Sequence, residues 1–256
     1  MKAAIVSIII TLLLLLVVNN SIQVSEHFIT GHKHNPSPKK WSIKKLSNGA
    51  VLYVKHTHDP IKAVRVFFPG ARQSALDASR TKILKSMLEL KDGMVCIVGK
   101  RGFDKNADSV PTYISKVICD EDAKAVMTYL TQFRTAIDIV GYSMGCNHAI
   151  TASKYGARGV LLVAPILENL NVGMMLWSLR SVRNMRNLVR LVLHQISLSW
   201  LIEKISIVQI QVPYRIAIGQ SDVYGYSTDN FIRLTGGHQK CMDFVEKDMC
   251  DFSCNM

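Results

Sequence analysis

Three short segments of a 256-residue chain carry side chains whose types and order could do nucleophilic chemistry. Gly141-Tyr142-Ser143-Met144-Gly145 holds a hydroxyl between two glycines, Gly219-Gln220-Ser221-Asp222 ends in a carboxylate, and Gly236-Gly237-His238 ends in an imidazole. A serine hydroxyl attacks poorly until a base removes its proton, and the base needs an acid to orient it. Serine, then acid, then histidine is the order expected when the serine sits on a G-x-S-x-G turn. On independent residue frequencies, one such match arises by chance only roughly 0.07 times in a chain this long.

The flanks of the serine sharpen that reading. Ala136–Val140 (AIDIV) has the apolar character of a buried strand, and Asn147–Lys154 is expected to continue as a helix. A strand that turns sharply into a helix strains the residue between them, and Gly141 and Gly145 remove the side chains that would clash there. The turn lifts the Ser143 hydroxyl above the sheet edge and faces it toward a helix N-terminus, which favours developing negative charge.

Other residues compete for these roles. His148, on the helix after the turn, fits a packed or capping histidine better than a base, and His56 and His58 fit solvated hairpin positions. Glu168 and Asp229 are the rival acids, whereas Asp138 lies inside a strand, away from its tip. Gly99-Lys100-Arg101-Gly102 looks superficially like a phosphate loop but lacks the P-loop spacing and its terminal Lys-Ser/Thr.

Uniting three distant segments requires a scaffold with one shared edge, and the remaining pattern supplies it. Trp41–Ser47 and Ala50–Lys55 read as strands joined by Asn48-Gly49, a strong hairpin signal. Ile61–Phe68, Met94–Val98, Gly159–Ala164, Tyr214–Ile218 and Ile232–Leu234 read as further strands. Helices are expected over 72–91, over Asp120–Phe133 with acids in its first turn, and over 239–249. Strands without polar alternation, separated by helices, predict an α/β fold: a mostly parallel sheet with helices on both faces, opened by an antiparallel hairpin.

Residues 41–256 thus resemble the α/β-hydrolase family, on GYSMG, GQSD and GGH in that order. The resemblance implies Ser143 as nucleophile, Asp222 as orienting acid and His238 as general base. It implies an oxyanion hole made by the backbone N–H of Met144 and one from the loop after the third strand, with Ala71 N–H as the expected donor. Pro69 stands where family members often carry His-Gly, and the interval from Asp222 to His238 is short for the usual intervening helix. The family also often inserts a helical cap where residues 172–207 lie. No metal or organic cofactor is implied.

Composition bounds the rest. Apolar residues at 48% and charged residues at 20% fit a globular domain and exclude a disordered chain or a multi-span membrane protein. The net charge of +12 points toward anionic surfaces. Ala3–Val18 is an apolar run of sixteen residues, about 24 Å as a helix against a hydrocarbon core of about 30 Å. Residues 1–20 are therefore expected to be a signal peptide or a membrane anchor, with a Pro36- and Pro38-bearing linker over 21–40. In the cap, Arg180, Arg183, Arg186 and Arg190 would form one basic stripe on a helix. That helix either covers the sheet as a solvated element or lies on anionic lipid as a lid. Nucleic acid is not expected as a partner, because no basic-aromatic binding module accompanies the charge.

Of six cysteines, Cys96 and Cys146 are expected as small packed hydrophobes. Cys241, Cys250 and Cys254 are the better disulfide candidates in an oxidising compartment. The whole predicts a membrane-anchored or secreted serine hydrolase acting on a carboxylic ester or thioester, with lipid-like acyl groups favoured. A serine peptidase or acyltransferase on the same triad, or an inactive membrane-associated interaction module, are the alternatives.

Overall fold

The structure is a computed structural model that describes residues 40–57, 59–70, 73–89, 93–101, 104–108, 116–165, 210–219 and 231–234. Eight strands build one sheet in the spatial order β1-β2-β4-β3-β5-β6-β7-β8. They are β1 (Ser42–Lys45), β2 (Val51–His56), β3 (Ala63–Phe68), β4 (Gly93–Gly99), β5 (Ala136–Tyr142), β6 (Gly159–Val163), β7 (Tyr214–Gly219) and β8 (Phe231–Leu234). β1 and β2 are antiparallel to their neighbours, and every pairing from β4 through β8 is parallel.

The opening hairpin follows from its turn. Gly49 takes φ +87°, which a side chain would disfavour. The Asn48 carboxamide oxygen accepts from the Ala50 N–H at 3.1 Å, and its amide donates to Asp122 at 2.7 Å.

Helices cover both faces. On one face α3 (Lys116–Leu130) and α4 (Gly145–Ala152) pack Ala123, Val126, Met127, Cys146, Ala149 and Ile150 against Val64, Val66, Phe68 and Cys96. On the other, α1 (Ala75–Ser79) and α2 (Lys82–Glu89) pack Ala78, Ile83, Leu84 and Met87 against Phe67, Ile97, Val140 and Val163. The central strands β3 to β6 are buried on both sides, which is why they lack polar alternation.

Two expectations need correcting. The helix expected over 72–91 is two helices. Ser74 and Asp77 form a reciprocal capping box at the start of α1. The Thr81 hydroxyl donates back to the Ala78 carbonyl at 2.8 Å and accepts from the Leu84 N–H at 3.3 Å, so it ends one helix and caps the next. The second helix, expected from Asp120, already begins at Lys116, so its acids are not in the first turn. They serve tertiary contacts instead: Asp122 binds Arg101 and Asn48, and Asp120 accepts from the Tyr155 hydroxyl at 2.9 Å.

The cap segment over 172–207, the segment 1–20, the linker to residue 39 and the closing helix over 239–249 lie outside the described residues. Among the described residues no helix is long and apolar enough to cross a membrane.

Candidate active site

Sheet order decides where a site can form. β3 lies between β4 and β5. After β3 the chain passes through α1 and α2 on one face; after β5 it passes through α4 on the other. Loops that part to opposite faces leave a crevice at the strand tips, the usual ligand position in open α/β sheets. Phe68 pairs with Gly141 in register, so the loop beginning Pro69-Gly70 and the turn carrying Ser143 meet there.

Ser143 occupies that turn with φ +52°, in the left-handed region that non-glycine residues seldom adopt. Its N–H donates to the Val163 carbonyl of β6 at 2.9 Å, and its carbonyl accepts from Cys146 N–H at 3.0 Å. The serine is only 7% exposed. Both flanking glycines are required by close approach. A Cβ at Gly141 would lie 2.7 Å from the Ala149 Cβ and from the Cys146 Cα. One at Gly145 would lie 2.1 Å from the Phe68 carbonyl oxygen. Met144 caps α4 at its N-terminus, so its N–H belongs to the set without a partner inside the helix.

The loop after β3 presses on the same spot. A Cβ on Gly70 would come within 2.8 Å of the Tyr142 ring and 3.3 Å of the Ser143 Cβ. The Gly70 N–H donates to the Gln73 side-chain oxygen at 3.2 Å. Its carbonyl, and that of Pro69, accept from the Lys100 ammonium at 3.0 and 2.7 Å. Pro69, a departure from the family pattern, thus contributes a carbonyl to this anchoring. Lys100 is 2% exposed, and burial lowers its pKa to about 8 against the opposing pull of Cys119 and Asp122.

Sequence reasoning dismissed the Gly99–Gly102 segment with the phosphate loop and so missed Lys100. The available signal was a lysine directly after a strand that is apolar throughout.

His148 sits beneath the elbow, 2% exposed, with its ring 5.9 Å from that of Phe68 and its Nδ1 3.7 Å from the Cys119 sulfur. Burial, reinforced by the nearby Lys100 charge, lowers its pKa to about 3. It is a packed neutral imidazole, as expected. Cys119, buried beside it, has its thiol pKa raised to about 12 by desolvation. Cys96 and Cys146 are buried free thiols, also pushed up by desolvation. Asp138 is held by the Arg158 guanidinium through bonds of 2.9 and 2.5 Å, within β5 and away from its tip. His56 is exposed at the end of β2.

The structure therefore brings Ser143, Met144, Gly141 and Gly145 together with Pro69 and Gly70. Ala71, Asp222 and His238 lie outside the described residues, as do Glu168, Asp229 and His58. The strands that precede Asp222 and His238 are described. β7 ends at Gly219 and β8 at Leu234, paired in parallel register at the same sheet edge as Ser143.

No protein-family profile matches the chain, and no curated protein matches it. Solved structures do. The esterase Pf2001 of Pyrococcus furiosus superposes with a TM-score of 0.62 at 14% identity, over 86% of this chain and 92% of the esterase. The α/β hydrolase GrgF from Penicillium gives 0.55 at 12% identity, over 85% and 97% of the two chains. An α/β serine hydrolase homologue from Coxiella burnetii gives 0.52 at 15%, over 84% and 97%. At such identities the likeness is one of fold.

Proposed function

We propose that this chain, which has the α/β-hydrolase fold, is a serine hydrolase that cleaves a carboxylic ester or thioester through an acyl-enzyme. One observation carries the reading: Ser143 is held at positive φ on the turn between β5 and α4, at the crevice where the β3 and β5 loops part. A nucleophile on a strand-to-helix turn must be presented in this way.

In the proposed reaction His238 removes the Ser143 proton as the oxygen attacks the substrate carbonyl. The oxyanion accepts from Met144 N–H and from Ala71 N–H; one such donor is typically worth about 3–4 kcal/mol of transition-state stabilisation. Collapse expels the alcohol or thiol, which takes the proton from His238. Water, deprotonated by the same imidazole, then frees the acid and restores Ser143. Asp222 orients the imidazole and stabilises its charged form.

Reach supports these assignments. β8 is three strands from β5, about 14 Å at the usual strand spacing. His238 lies four residues beyond Leu234, and four extended residues span about 14 Å. Asp222 lies three residues beyond Gly219, the last residue of the neighbouring β7.

Lipid-like acyl substrates and a membrane-anchored or secreted location complete the proposal. They are supported by the apolar segment before residue 20, the apolar and basic residues over 172–207 and the charge of +12.

A fluorophosphonate probe should label the folded chain and fail to label Ser143→Ala. Equal labelling of both, or none of the wild type, overturns the reading. Nitrophenyl esters of graded chain length, run beside peptide amides, should show turnover rising with acyl length; amide cleavage in their place would favour a peptidase.

A further inference from the structure

Lys100 is an unusual residue to find at this position. It follows β4 directly, is buried to 2% exposure, and spends two of its donors on consecutive main-chain carbonyls 30 and 31 residues earlier in the chain. Burying an ammonium is costly unless hydrogen bonds compensate it. Pro69 and Gly70 are themselves buried, so their carbonyls take their donors from within the protein. The donor committed to them is a charge, at the loop whose Gly70 lies against the nucleophile turn, where a Cβ would meet the Tyr142 ring at 2.8 Å and the Ser143 Cβ at 3.3 Å.

We propose that Lys100 is a positioning residue of the active site, whose buried ammonium clamps the Pro69 and Gly70 carbonyls and so holds the loop after β3 against Ser143 in the geometry that receives the oxyanion. The inference rests on the serine-hydrolase reading above. A trans peptide is planar, with carbonyl and N–H antiparallel. Fixing the Pro69 carbonyl therefore fixes the plane of the Pro69–Gly70 peptide, whose Gly70 end lies against Ser143. The Gly70 N–H is itself occupied by the Gln73 side chain, which ties the loop further. Gly145 completes the contact from the other side, its Cα facing the carbonyls of Phe68 and Pro69. The nucleophile turn and the oxyanion loop are thus locked together by backbone contact, and Lys100 pins the loop from beneath. Its positive charge also favours the oxyanion electrostatically in a site shielded from water.

The test measures kcat and KM on a nitrophenyl ester, and the rate of fluorophosphonate labelling, for the full chain and two variants. Lys100→Met should fold and lose kcat by about thirtyfold or more, with KM within about threefold and labelling slowed in parallel, as removal of an oxyanion donor does. Lys100→Ala should behave alike, and added ethylammonium, but not tetramethylammonium at equal ionic strength, should recover at least about tenfold of the lost kcat by supplying the missing N–H donors. The proposal is overturned if folded Lys100→Met keeps wild-type kcat. It is also overturned if ethylammonium raises thermal stability without raising kcat, or if neither variant folds, since Lys100 would then serve stability alone. A wild-type chain that the probe does not label at Ser143 sinks the hydrolase reading itself, before any Lys100 variant is compared.

Discussion

Ser143 hangs from the neighbouring strand: its N–H donates to the Val163 carbonyl at 2.9 Å while its own φ is +52°. A β6 carbonyl that would otherwise continue the ladder holds the turn in its strained conformation. The strain is retained because the glycines on either side leave room for nothing else.

That packing makes a stability prediction. Gly145→Ala drives a methyl group into the Phe68 carbonyl, a backbone atom that cannot swing aside. It should destabilise the fold by about 2–3 kcal/mol, as overpacking of a tight interior does. Gly156→Ala is the control. Gly156 has φ +96° but its nearest neighbour would be 3.7 Å away, so the cost should be only the left-handed backbone term of about 1–2 kcal/mol. Urea midpoints of the two variants check the difference; equal midpoints would mean that the elbow is looser than described.

The two histidines near the elbow should separate cleanly. His148 is buried against Phe68 and Cys119, with its pKa lowered to about 3, so it cannot cycle protons near neutral pH. His148→Gln should cost stability but keep kcat within about threefold, whereas His238→Ala should lose about a thousandfold or more, as triad members do. Steady-state kinetics on both variants decide the matter, and a kcat collapse confined to His148→Gln would reassign the base.

His148 also sets a pH dependence of stability. Its folded pKa of about 3 lies below the unfolded reference of 6.5. Between those values the unfolded chain binds the extra proton, so stability rises with pH through that window. The slope from this residue approaches about 1.4 kcal/mol per pH unit. His148→Gln should flatten the curve of unfolding free energy from pH 6.5 downward. Lys100, lowered from 10.5 to about 8, adds a rise of the same sign across the alkaline window. An unchanged acid limb in His148→Gln would show that the imidazole is solvated.

Asp138 tests whether a buried carboxylate under the elbow strand depends on its cation. Arg158 donates to it through both Nε and a terminal amine, at 2.9 and 2.5 Å. Arg158→Leu should cost about 2–3 kcal/mol, reduced from the fully buried value because the guanidinium is partly solvated. Adding Asp138→Leu should recover most of the loss, since two apolar residues leave no charge stranded. Chemical denaturation of the single and double variants provides the cycle.

The amino-acid sequence determined the elements whose causes are local. The Asn48-Gly49 turn, the unbroken apolar strands and the G-x-S-x-G step from β5 to α4 each depend on residues adjacent in the chain, and each formed as read. Chain order alone also suggested the α/β-hydrolase resemblance. Where local signals conflicted the sequence misled: the helical pattern over 72–91 hid Thr81, whose hydroxyl closes one helix and opens the next. Tertiary structure decided what depends on distant partners. β3 lying between β4 and β5 is a property of sheet order, and it alone places Gly70 against Ser143. The Lys100 clamp joins residues about thirty positions apart, and no spacing within Gly99–Gly102 reveals it. Strand and turn propensities act over a few bonds, whereas a buried charge finds its carbonyls only after the whole sheet has assembled around them.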